Sequence, residues 1–199
     1  MKNRLTLVYV FVLLGFHCTT FSQSSNLNEH PINDKQEVEI RNTDTIPDFA
    51  TKINKLKIFG TVYENDGVTP AKDVILYIEQ ADVNGDFDLR GAKDNKYVHH
   101  RAWVKTDANG QYTLYTFIPG NDRRYNQLQQ LFPSIKEPSK PVYDIQSFLF
   151  DDDPLLTKLC RKRMHKKGDP SRILKLKKEG NLNVVQKDIT LNSQIVVLK

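Results

Sequence analysis

From Leu56 onward, apolar and polar residues alternate in short runs. Leu56, Ile58 and Val62 stand among polar neighbours with Gly60 between them, which predicts a half-buried strand. Asn65-Asp66-Gly67 with Pro70 marks a turn. Residues 73–80 (DVILYIEQ) are apolar enough for a central strand, and a long polar loop covers 81–98. Residues 100–105 and 111–117 read as two strands joined by Thr106-Asp107-Ala108-Asn109-Gly110, where Asn-Gly signals a hairpin. A second long loop is expected over 118–141, then a strand over 142–150. Asp151-Asp152-Asp153-Pro154 predicts a helix start, with Asp153 as N-cap and Pro154 in the first position. Leu155, Leu156, Leu159, Cys160 and Arg163 follow at helical spacing. Lys and Arg gather at the far end, and Gly168 closes the helix. Strands at 172–178, 183–191 and 194–198 complete the pattern. Many short strands with one helix predict an antiparallel β-sandwich.

The first 53 residues lack this periodicity. Lys2 and Arg4 precede an apolar stretch from Leu5 to Phe16 that is too short to span a bilayer comfortably. Thr20 and Ser22 suit cleavage before Gln23. Residues 1–22 are therefore expected to be a signal peptide, and the chain to be secreted or periplasmic. A lipoprotein signal using Cys18 is the rival, and His17 before it is a poor fit. Residues 23–53 are polar and read as a flexible linker in which His30 and the carboxylates carry no assigned role. The domain is placed at 54–199, with no transmembrane segment in the mature chain.

The whole chain has 199 residues, enough for one domain with appendages. Hydrophobic residues make up 39% and charged residues 27%, so most of it should fold. The net charge of +5 is mild, and no run interleaves basic and aromatic residues, which argues against nucleic acid as a partner. Removal of Cys18 leaves Cys160 alone, without a disulfide partner. Asp82, Asn84, Asp86 and Asp88 resemble half a calcium loop, but Phe87 and Lys93 replace the required Gly and Glu. A solvated acidic turn is the plainer expectation. The basic run Arg161–Lys167 reads as a solvated helix end, although it could meet anionic groups. No Ser/His/Asp set, Cys/His pair or phosphate loop is evident.

Four segments, in order, resemble one family. They are Leu56-x-Ile58-x-Gly60-x-Val62 with Thr69-Pro70 and Val74–Ile78; Gln80-Ala81-x-x-x-Gly85; Trp103-Val104-Lys105-Thr106-Asp107-x-x-Gly110-x-Tyr112-x-x-Tyr115-Thr116-x-x-Pro119-Gly120; and Phe148-Leu149-Phe150-Asp151-Asp152-Asp153-Pro154. Together they are similar to the short secreted intradiol ring-cleavage dioxygenases. A prealbumin-like or carboxypeptidase-regulatory sandwich would share the Gly60 and Thr106–Gly110 features. The resemblance implies a mainly β, antiparallel sandwich of the intradiol dioxygenase or prealbumin-like kind, with one short helix after the Asp-Asp-Asp-Pro segment.

It also implies a chemistry. The family holds ferric iron with two tyrosines and two histidines, because hard Fe(III) needs anionic oxygen donors. The corresponding positions here are Phe87, Asp122, Gln130 and Phe132. Phenylalanine has no donor atom, and Gln is a weak neutral one. Tyr97, His99, His100, Tyr125 and Tyr143 are the nearby substitutes. Adjacent histidines on a strand would point to opposite faces, so His99 and His100 are not expected to share a site. The expectation is an exported, non-catalytic intradiol dioxygenase-like protein without a cofactor, serving as a binding or interaction module for a small molecule or protein. The alternative is an active ferric dioxygenase on catecholic aromatics with a rearranged ligand set.

Overall fold

A computed structural model describes residues 30–92 and 95–191. The signal segment with Cys18, the beginning of the 23–53 stretch and the strand expected at 194–198 lie outside the described residues.

Alternation over 55–63 folds as expected. Strand β2 (Lys55–Tyr63) buries every second residue, sending Leu56, Ile58 and Val62 inward. It lies in a sheet ordered β1 (Thr43–Thr45), β7 (Gln111–Phe117), β2, β13 (Leu182–Gln186) and β12 (Lys177–Glu179), with β14 (Ile189–Thr190) also beside β2. The facing sheet is ordered β11 (Ile173–Leu174), β10 (Phe148–Phe150), β8 (Gln130–Lys136), β3 (Ile75–Gln80) and β6 (Arg101–Lys105), with β9 (Tyr143–Asp144) on β8. Leu76, Ile78, Ala102, Val104, Leu131 and Ile135 from this sheet pack into one core with Leu56, Ile58, Tyr112 and Leu114 from the other. A separate hairpin pairs β4 (Leu89–Ala92) with β5 (Asn95–Val98).

The sandwich is mixed rather than wholly antiparallel. β1 runs parallel to β7, β13 and β14 to β2, and β11 to β10. In each case the strands are joined by a long stretch of chain, as parallel pairing requires.

Residues 30–53 are not a flexible linker. This arm crosses the outer face of the β3-containing sheet and then adds β1 to the other sheet. Ile32, Ile40 and Ile46 are buried, the first two against Ile75 and Tyr77 on the outer side of β3. Trp103 Nε1 donates to the Ile32 carbonyl at 3.1 Å, Lys105 Nζ to the Glu37 carbonyl at 3.0 Å, and the Trp103 amide to Asp44 Oδ2 at 3.1 Å. Three widely spaced isoleucines show no periodicity in a polar segment, so the sequence conceals a strip of chain that covers one face of a sheet.

Two other expectations change. The 118–141 loop contains β8, which sits between β3 and β10. Its central Pro133, opposite Ile78, argues against a central strand from sequence alone. The helix is α1 (Lys158–Lys167), starting later than Asp153-Pro154 suggests, with the Thr157 hydroxyl accepting from the Cys160 amide. No residue of α1 is buried. Asp153 is used elsewhere: its buried carboxylate accepts from the Gln129 amide at 2.7 Å, the Leu155 amide at 3.0 Å and Asn121 Nδ2 at 3.0 Å.

Candidate functional site

Strand alternation turns Gln130, Phe132 and Ser134 to the outer face of β8, while Leu131 and Ile135 enter the core. Register sets Phe132 opposite Glu79 and Ser134 opposite Tyr77 on β3. Above them opens a cleft of about 440 Å³, bounded by Tyr77, Glu79, Phe132, Ser134 and Arg172, with His30 and Pro31 of the arm at its edge. Tyr77 Oη donates to Glu79 at 2.8 Å, and burial raises the tyrosine's pKa. Arg172 donates to Gln146 Oε1 at 3.1 Å and Ser147 Oγ at 3.0 Å. Burial lowers its pKa from the usual arginine value.

Two loops close the end of the sandwich near Phe132. Gly120 donates to the Asp82 carbonyl at 2.8 Å. A Cβ on Gly120 would stand 2.4 Å from the Val83 carbonyl oxygen, so only glycine permits this approach. The interlock holds the 82–88 turn beside the 120–122 segment and brings Phe87 against Phe132, ring centroids 5.6 Å apart. Asp122 accepts from the Arg124 amide at 2.8 Å and from Arg124 Nη2 at 3.2 Å. The Arg124 hydrogen bond holds its carboxyl below the usual aspartate range. Gln130 Oε1 accepts from Ser147 Oγ at 3.0 Å.

Ferric iron does not fit these residues. Two phenyl rings lie against each other, one amide oxygen is engaged by Ser147, and the one carboxylate is neutralised by arginine. The tyrosine substitutes do not gather there either. Tyr97 lies under the Arg101 guanidinium at 4.1 Å, Tyr125 is 79% exposed, and Tyr143 Oη donates to Glu137 at 2.9 Å.

The acidic turn is internally occupied. Asp82 Oδ1 accepts from the Asn84 amide at 2.7 Å and the Asp86 amide at 3.0 Å, while Asp88 pairs with Arg90 at 2.9 Å. These contacts suit a self-capped turn and engage the Asp82 and Asp88 carboxylates that a calcium ion would need.

His99 and His100 do come together, contrary to the strand-alternation expectation. They occupy a bend between β5 and β6, where alternation does not apply. Their rings are 5.1 Å apart, and both face the Asp48 carboxylate of the arm. Sequence reasoning missed Asp48 because it lies about fifty residues upstream in a stretch that looks unstructured; only Ile46-Pro47-Asp48 hinted at a turn.

Two facing mixed sheets, with one α-helix among the described residues, match the fold of solved intradiol dioxygenases. The dioxygenase domain of a dioxygenase–carbohydrate-binding protein fusion from Streptomyces sp. SirexAA-E is similar at 22% identity and TM-score 0.58, covering 79% of this chain and 89% of that one. An intradiol ring-cleavage dioxygenase from Tetranychus urticae is similar at 16% identity and TM-score 0.53, covering 76% and 85%. For 3-chlorocatechol 1,2-dioxygenase from Rhodococcus opacus 1CP the values are 19% and 0.51, with 70% of this chain matched to 59% of that one. No protein-family model and no curated protein matches the chain. Among the described residues no helix is long and apolar enough to cross a membrane.

Proposed function

We propose that this chain is an exported, non-catalytic protein of the intradiol dioxygenase fold, whose cleft binds a small molecule instead of cleaving one. The Phe87–Phe132 contact carries this reading, because two donorless rings fill positions that the family resemblance gives to iron ligands. The cleft beside them is lined by apolar surface together with the polar groups of Glu79, Ser134 and Arg172. Export rests on the charged, then apolar, then small-residue pattern of residues 1–22.

The test is to purify the chain after growth in iron-rich medium, measure bound iron and follow oxygen uptake with catechol. The expected result is a colourless protein with no stoichiometric iron and no uptake. A reddish protein with one iron per chain that consumes oxygen would establish the ring-cleaving alternative.

A further inference from the structure

We propose that Asp48, His99 and His100 bind one divalent transition-metal ion of the zinc class, which fastens the N-terminal arm to the sandwich. This goes beyond the cleft reading and uses none of its residues.

The donor set is two imidazoles and one carboxylate, with one ligand atom from each lying within 4.8 Å of the others. Asp48 Oδ2 is 3.1 Å from His99 Nε2 and 3.4 Å from His100 Nε2. Tetrahedral zinc with bonds of about 2.0–2.1 Å sets its donors about 3.3 Å apart, so both edges suit a shared ion, which would replace the His99–Asp48 hydrogen bond at the first of them. Three protein ligands leave a fourth position for water, and Asp48 opens that side to solvent with 46% of its side chain exposed.

His100 gives the second, independent observation. It is 3% exposed, and neither ring nitrogen has a hydrogen-bond partner. Its 3.4 Å approach to Asp48 lacks hydrogen-bond alignment. A buried imidazole with both nitrogens unsatisfied is costly unless something else engages one of them. Burial, then the nearby Lys52 charge, lowers the pKa of this imidazole.

The surroundings hold the three ligands in place. The His99 amide donates to the Asp88 carbonyl at 2.8 Å, and the His100 carbonyl accepts from the Gln80 amide at 3.0 Å. Phe117 stands edge-on to the His100 ring with centroids 5.0 Å apart. Asp48 occupies a left-handed backbone position at φ 65°, following Pro47 in a turn closed by Phe49 N to the Ile46 carbonyl. Gly or Asn is the usual residue there, so an aspartate accepts some strain in order to aim its carboxylate at the histidines. Lys52 opposes a cation electrostatically, and its ammonium is held 4.6 Å from the Phe117 ring centroid.

The full chain, stripped of metal by chelation, is titrated with Zn²⁺ against a chromophoric chelator and separately with Co²⁺. One equivalent of Zn²⁺ per chain is expected, together with a rising thermal midpoint and the intense visible absorption of four-coordinate cobalt. Asp48→Asn changes a carboxylate that is 46% exposed and His99→Gln an imidazole that is 14% exposed, and metal-free melts check that both variants keep the fold. Each should weaken binding by about 100-fold, the upper end of what even an outer-shell loss costs a metal site. Lys52→Met should tighten it. Absence of stoichiometric binding overturns the proposal. So does binding that survives both ligand substitutions, or that is abolished by His165→Gln in the basic helix instead.

Discussion

Asp107 fastens the turn between β6 and β7. Its Oδ1 accepts from the amides of Asn109 at 2.9 Å and Gln111 at 3.0 Å, and Oδ2 accepts from Asn42 at 3.0 Å. These bonds, the Gln111 amide first, pull its pKa below 3.8. A depressed carboxyl contributes stability that is present above its unfolded value and is lost as pH falls through the folded one. Asp107→Ala should therefore cost about 1–2 kcal/mol near neutral pH. That deficit should shrink once the pH drops below 3.8, read from urea midpoints in the two conditions. Gly120 makes the steric counterpart. Gly120→Ala sets a methyl against Val83 O and Gly85 N, two backbone atoms that cannot swing aside. We expect a loss of about 2 kcal/mol or more in thermal unfolding.

At the scale of elements, β3 explains the arm. Its burial pattern leaves only Glu79 partly exposed, because one face meets the other sheet and the other packs against Ile32 and Ile40 of the arm. A strand this apolar demands two covers, and DVILYIEQ announced that need without saying what supplied the second. Ile32, Ile40 and Ile46 are each worth about 1.5–3 kcal/mol when fully buried. Together they rival the usual net stability of a domain of about 5–15 kcal/mol. A chain beginning at residue 54 should therefore be unstable and bind a hydrophobic dye. Ile40→Ala alone should cost about 2–5 kcal/mol in denaturant unfolding.

For the molecule as a whole, the legible parts were those with local periodicity. β2, β3, β6 and β7 follow from alternation and the Asn-Gly turn, and the resemblance led to the intradiol dioxygenase fold. What stayed hidden depends on distant partners. Pro133 disguised β8 as loop, Asp153 looked like a helix cap while it anchors Gln129, and Asp48 meets His99 only because the arm folds back. Each of these is a pairing across long sequence separation, for which no short-range pattern exists.

The arm's first described residues, His30 and Pro31, form part of the rim of the cleft. In a shortened chain, a bulky partner fused directly to His30 would be attached to a residue that lines the cleft, so that junction is the one to avoid where ligand entry is to be measured.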